Sequence, residues 1–322
     1  MGSTAPPTVS SLSRLLRLLT AALGLGAGAW VLWTLSGDRE VLRRLASGRL
    51  LGWLGLGALA YAALTAALVS AWWWLCHLYA QRPPWLTAYT LWARSQIAKY
   101  LPGNVFHYVS RQMLGRRAGL SHATLVGSAI LETVSLVFAA SLLALHRLAS
   151  GRWGPALLPL GIALTALIFW PAVDRLIRRH MLRETRSSLP ARGPLHLSTF
   201  LGPTVLLHAL FLLGTGGILL GLLRVGWDHD GSLDPRAVMT AYAAAWLAGT
   251  LMPGAPAGIG VREMVLTLEL EPALGSTEAA ALALALRLVT TVGDLITALL
   301  GHSLPLPEDP DSPPSLAGDS GP

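Results

Sequence analysis

Apolar residues fall along the chain in long runs, with most of the charged residues gathered between them. A helix crosses about 30 Å of hydrocarbon with about 20 residues. Six runs reach or approach that length, at 15–35, 51–76, 121–146, 155–171, 198–223 and 278–301. Each predicts a spanning helix, the fourth being short and bounded by prolines. Two further apolar stretches break partway. Trp85 to Leu101 is helical in pattern but carries Arg94, Gln96 and Lys99, and it stops at Pro102-Gly103-Asn104. A second helical stretch follows, from about Val105 to Arg117, with Arg111 on it. Arg236 to Met252 likewise stops at Pro253-Gly254, passes Ala255-Pro256-Ala257-Gly258, and resumes through Ile259-Gly260-Val261-Arg262-Glu263. Proline disfavours helix in the residue before it, and glycine permits the turn that follows.

In both places an arginine stands nine residues beyond the proline, Pro102 to Arg111 and Pro253 to Arg262, and a long apolar run comes next. Matching Gly/Pro-interrupted segments in two halves of a chain point to an internally repeated transporter with broken helices. If each interrupted segment enters and leaves on one side, three crossings separate the two, so they enter from opposite faces. The fold expected is an all-α polytopic membrane protein: about six spanning helices plus two Pro-Gly-broken re-entrant helix pairs arranged as an inverted repeat. Residues 1–14 are expected as an N-terminal cytoplasmic segment. A single transmembrane domain follows over 15–302, with repeat halves at about 51–146 and 198–301. Residues 303–322, rich in proline, serine and acids, are expected as a disordered tail.

Composition agrees. Of 322 residues 53% are hydrophobic and 13% charged, against about 25% charged in ordinary soluble domains, which argues against a water-soluble enzyme. The net charge of +7 comes from 23 arginines and the single lysine Lys99 against 17 acids. The basic residues lie between apolar runs, so anionic lipid headgroups rather than nucleic acid are the expected partners. The most basic loop holds Arg175, Arg178, Arg179, Arg183, Arg186 and Arg192; with Arg116 and Arg117 it places the N-terminus inside by the positive-inside bias. Arg39, Arg43, Arg44 and Arg49 fall outside on that scheme, against the bias. Trp72-Trp73-Trp74 reads as part of an interfacial aromatic belt. Cys76 is the only cysteine and lies in an apolar run, which predicts an inert buried thiol. The nine histidines show no close ligand spacing, so neither a metal nor another cofactor is expected.

The candidate site is built around the two breaks. A half-helix beginning after each Pro-Gly presents unpaired N–H groups and a positive dipole end, suited to phosphate or carboxylate. Arg111 and Arg262 are expected two or three turns beyond the breaks, with forked guanidinium groups that suit bidentate phosphate contact. Lys99, Gln96, Asn104 and His107 cluster around the first break. Charges inside membrane segments usually face the bundle interior and mark a pathway, which brings in Glu132 in the third run and Arg287 and Asp294 in the last. The expected substrate-binding set is thus Lys99, Pro102, Gly103, Asn104, Arg111, Glu132, Pro253, Gly254, Gly258, Gly260, Arg262, Glu263, Arg287 and Asp294. Simpler roles stand beside these: Arg111 as a flank anchor, Arg262-Glu263 as a mutual ion pair, and Arg287 paired with Asp294. Gly214-Thr-Gly216-Gly217 reads as a site of close helix packing.

The run Ser95-Gln-Ile-Ala-Lys-Tyr-Leu-Pro-Gly-Asn-Val-Phe-His-Tyr-Val-Ser-Arg111 resembles the first signature of the lysylphosphatidylglycerol synthase transmembrane-region family, and Pro253-Gly-Ala-Pro-Ala-Gly-Ile-Gly-Val-Arg-Glu263 resembles the second. The resemblance runs from about residue 15 to 302. That family includes the flippase portion of the multiple peptide resistance factor. The resemblance implies a multi-pass protein of a prokaryotic cytoplasmic membrane that moves lipids, here a stand-alone member without the synthetase domain. Where that family often has a second charged residue after Glu132, this chain has Thr133.

The function expected is a lipid flippase moving an anionic, phosphate-bearing lipid, such as an aminoacyl phospholipid or a polyprenyl-phosphate-linked lipid. A secondary transporter of a small anionic or amphipathic solute is the first alternative. A non-transporting membrane partner of a lipid- or glycan-modifying enzyme is the second. No catalytic residue is expected, because no nucleophile–base pair or metal set is visible.

Overall fold

A computed structural model describes residues 47–101, 105–149, 194–226, 233–252 and 255–306, together with Trp33 and Arg43. Among these the chain is helical throughout, with no strand. Helix α1 covers Gly48–Leu78, begins at Ser47, whose hydroxyl accepts from the Leu50 N–H, and runs 31 residues. Helix α2 covers Trp85–Gln96 and tightens into a 3-10 turn over Ile97–Tyr100, leaving Leu101 extended just before Pro102, as the proline demands. Helix α3 follows over Phe106–Arg117 and α4 over His122–Ala149.

The same order repeats. Helix α5 covers Pro194–Gly226 and α6 covers Pro235–Leu251. Asp234 caps α6 by accepting from the Arg236 N–H at 3.0 Å, and proline occupies the first position, where its missing N–H costs nothing. A 3-10 turn over Pro256–Gly258 leads to α7 at Val261–Leu274 and then, past Gly275, to α8 at Ser276–Ser303.

Four helices are long and apolar enough to cross a membrane, over Gly48–Leu78, His122–Leu145, Thr199–Gly226 and Ser276–Ser303. They coincide with four of the six runs read from the sequence, and the described residues accordingly form an all-helical protein of membrane character. The runs at 15–35 and 155–171, and the segment 1–14, lie outside the described residues apart from Trp33. So does most of the tail. Of the tail, residues 303–306 are described: α8 ends at Ser303, and Leu306 packs against the core.

Packing is crosswise. Helix α1 lies against α5 and α8, while α2 packs on α8 and α6 packs on α4. The two 3-10 turns touch each other, so the two broken segments approach one another beside their breaks. Small residues permit this. Gly301 sits against Ala93 and the Arg94 backbone, and Gly293 against Ala58 and Tyr61. A side chain at Gly216 would strike the Met239 backbone and one at Gly214 the Leu64 side chain, which bears out the close packing read at these two glycines, whereas Gly217 faces open space. Close backbone approach of this kind is a main source of helix association in lipid. Arg94, a charge in an otherwise apolar segment, donates from Nε to the Gly301 carbonyl at 2.8 Å and from Nη2 to His302 and Leu304 carbonyls. It thereby caps the free carbonyls at the end of α8.

Candidate functional site

Every described helix contributes to one cavity of about 230 Å³ where the two broken segments approach one another. Glu132 lies ten residues into α4, about 15 Å along a helix rising about 1.5 Å per residue, and Asp294 lies nine residues from the end of α8. Both depths correspond to the middle of a hydrocarbon layer about 30 Å thick.

The floor on the first-half side is an ion pair. Arg111, from α3, meets Glu132 Oε2 at 2.5 Å through Nη1, and its Nε faces Ser95 Oγ at 3.5 Å. The other carboxylate oxygen accepts from Trp92 Nε1 at 3.0 Å. The guanidinium is enclosed by the rings of Trp72, Trp92 and Tyr108, at 5.1, 5.6 and 5.9 Å from their centroids. Such contacts stabilise a desolvated cation by about 2 kcal/mol or more. Arg111 is therefore fully occupied and buried; the flank-anchor reading fails, because the side chain turns inward.

Trp72 corrects a second expectation. Its neighbours in the chain favoured an interfacial belt, yet it is wholly buried, donates to Ser128 Oγ at 2.9 Å and lies beneath Arg111. Trp73 donates to the Pro83 carbonyl. Cys76 is buried and free, as expected.

The second arginine is placed differently. Arg262 is the second residue of α7, whereas Arg111 is the sixth of α3. The equal spacing from proline does not give equal helical position, because the 3-10 turn at Pro256–Gly258 consumes residues after the second break. Arg262 thus lies within the first turn, not two or three turns in. Its guanidinium stands 5.4 Å from the Trp246 ring centre, and Nη2 donates to Thr250 Oγ1 at 3.3 Å. Gly249 and Gly258 leave room for its side chain; Gly258 also has φ +69°, which suits glycine. Among the described residues no carboxylate pairs with it.

Glu263 does not pair with its neighbour. It accepts the Gly260 N–H at 2.6 Å, closing the start of α7, and approaches Arg287 Nε at 3.4 Å. The positive end of α7 is thus met by the chain's own carboxylate. Gly260, at φ +84°, is the N-cap, and Glu263 supports the wall from behind. Helix α3, by contrast, has no side-chain cap at Val105.

Arg287 and Asp294 share the cavity but not a bond. Arg287 donates to the Ala257 carbonyl at 3.2 Å, while Asp294 pairs with Lys99 at 2.7 Å and accepts from the Tyr100 hydroxyl at 2.7 Å. Three buried nitrogens on cavity-lining side chains, His107 Nδ1, Arg262 Nε and Arg287 Nη2, have no hydrogen-bond partner among the described residues.

Of the expected residues, Lys99, Arg111, Glu132, Arg262, Arg287 and Asp294 line the cavity. Gly258, Gly260 and Glu263 shape it from behind. Pro102, Gly103, Asn104, Pro253 and Gly254 lie outside the described residues. The aromatic members of the wall, Tyr61, Trp92, Tyr100, Tyr108, Phe211 and Trp246, were not singled out, since aromatics are common in membrane helices. In the first broken segment Tyr100 directly follows Lys99, and Trp92 and Tyr108 stand two and three residues before Arg94 and Arg111, and that proximity was the available signal. No model of a known protein family and no curated protein sequence matches the chain.

Proposed function

We propose that the chain is a translocase that carries an anionic, phosphate-bearing lipid across a membrane, with the headgroup in the cavity and the tails in lipid. One observation carries the reading: Arg262, on the cavity wall and partly shielded from solvent, has no carboxylate partner among the described residues. Charges withdrawn from water are ordinarily paired, so this guanidinium suits an anionic ligand. Along the first hairpin Lys99, His107 and Arg111 face the cavity, whereas Leu101, Val109 and Met113 are at least half exposed. A single layer of helix therefore separates the charged site from the lipid tails, which favours a lipid over a small solute.

The same reading takes the two halves as an inverted repeat. Its support is the repeated order of long helix, broken helix, half-helix and long helix, the reciprocal packing of α2 on α8 and α6 on α4, and the contact between the two turns. Six crossings, with residues 15–35 and 155–171 as the remaining two, complete the scheme. The resemblance to the lysylphosphatidylglycerol synthase transmembrane region supports a lipid substrate, and the cavity's charge favours a phosphate-linked lipid without an ammonium group, such as a polyprenyl-phosphate-linked lipid. It also supports a prokaryotic cytoplasmic membrane with the N-terminus inside.

The test is reconstitution in vesicles containing a fluorescent phosphatidylglycerol analogue, with chemical bleaching of the outer leaflet. Wild type should carry the label between leaflets, and Arg262→Ala should reduce the rate to that of empty vesicles. Movement undiminished in Arg262→Ala would sink the role given to that residue. Ion-gradient-driven uptake of a water-soluble anion, with no lipid movement, would instead establish the solute transporter.

A further inference from the structure

Four cations and three carboxylates form the site and its immediate support. Lys99 is paired with Asp294, Arg111 with Glu132 and Arg287 with Glu263, which among the described residues leaves Arg262 and a net charge of one. We propose that the cavity is selective for a headgroup bearing a single negative charge, a phosphodiester, and that Arg262 alone is its counter-ion. The inference rests on the translocase reading and adds the charge that the substrate carries.

The two arginines marked by the chain's repeat are thus not equivalent. Arg111 has its charge met by Glu132 and its faces covered by three aromatic rings. To grip a phosphate it would have to leave a buried carboxylate unpaired, which is costly. Arg262 has only the Thr250 hydroxyl as a hydrogen-bond acceptor among the described residues. Arg287 is bound through Nε and Nη1 and keeps Nη2 without a partner. His107 likewise holds an unpartnered ring nitrogen. One phosphodiester satisfies a single guanidinium charge and accepts several N–H groups at once. A phosphomonoester dianion or a diphosphate brings at least one further charge that nothing in the wall neutralises. A zwitterionic phospholipid brings a cation that must share the cavity with Lys99, Arg262 and Arg287.

Charge exchange tests this directly. Full-length protein is placed in vesicles containing fluorescent phosphatidylglycerol, phosphatidic acid or phosphatidylcholine, and binding of the same lipids to detergent-purified protein is measured by native mass spectrometry. Wild type should favour phosphatidylglycerol over both others at least tenfold, about 1.4 kcal/mol. Asp294→Asn removes one negative charge, and the preference should move toward phosphatidic acid at high pH, where that lipid is a dianion. Arg262→Gln should lose phosphatidylglycerol binding. A wild-type ratio near one, or a ratio unmoved in Asp294→Asn, overturns the proposal. The mass-spectrometric ratio reports selectivity even when no lipid crosses, so failure of translocation and failure of charge selection are separate results. Water-soluble glycerophosphoglycerol is the companion probe. Weak competition supports a lipid source, and competition equal to that of the lipid overturns it in favour of a free phosphodiester.

Discussion

Lys99 Nζ stands 2.7 Å from Asp294 Oδ2, and the Tyr100 hydroxyl reaches the same oxygen. The turn that ends the first broken helix is thereby fastened to the last helix of the other half. A double-mutant cycle of Lys99→Met and Asp294→Asn should show a coupling of about 1–3 kcal/mol, typical of contacting residues in one network. Thermal unfolding in detergent reads it, and a coupling near zero would mean that helix packing alone holds the turn in place.

Breaking the Arg111–Glu132 pair should be far costlier than removing both members. Glu132 alone, or Arg111 alone, would be a buried charge with no partner, a loss of about 3–5 kcal/mol. Arg111→Met and Glu132→Gln singly should therefore lower the melting temperature strongly, while the double substitution recovers a large part of the loss. Fluorescence-detected size exclusion after heating distinguishes these outcomes.

Arg262→Ala should behave in the opposite way. With no carboxylate left behind, its stability should stay within about 1 kcal/mol of wild type, while lipid movement is lost. A folding defect as severe as that of Arg111→Met would show that the side chain is a structural strut.

Gly249→Ala tests position without altering charge. A β-carbon there meets the Arg262 side chain, and so does one at Gly258, which also has a left-handed backbone. Gly249→Ala should displace the guanidinium and slow transport, with an overpacking cost of about 1–3 kcal/mol. Transport at the wild-type rate would mean that Arg262 has slack the structure does not display.

Arg94→Ala removes three donations to carbonyls at the end of α8. Loss of about 1–2 kcal/mol is expected, in line with hydrogen bonds from charged groups. Faster hydrogen exchange at the last turn of α8 should accompany it, with Arg94→Lys giving only partial recovery.

How much of this was legible in the sequence differs from residue to residue. The spans containing Glu132 and Asp294 were plain, because a run of twenty apolar residues has few other uses. The inward direction of both acids followed from the cost of charge in lipid. Repeat spacing located Arg111 and Arg262 but misled about their likeness. Spacing counts residues, and the 3-10 turn at Pro256–Gly258 changes how many residues a break contains. Pairing was the least legible. Arg287 and Asp294, seven apart on one helix, chose Glu263 and Lys99 on other segments, a choice made by tertiary packing that no local pattern records. Trp72 was hidden for the same reason, since a tryptophan at a helix end looks alike whether lipid or an arginine lies against it.

The crosswise packing also sets how this molecule can change over generations. Ala93 and Arg94 are answered by Gly301 and the carbonyls around it, across more than two hundred positions of chain. A duplicated protein whose halves stand apart lets each copy drift at its own pace. Here a larger residue accepted at Ala93 or Gly301 must be compensated on the other helix, so two distant stretches of chain are bound to a shared evolutionary history.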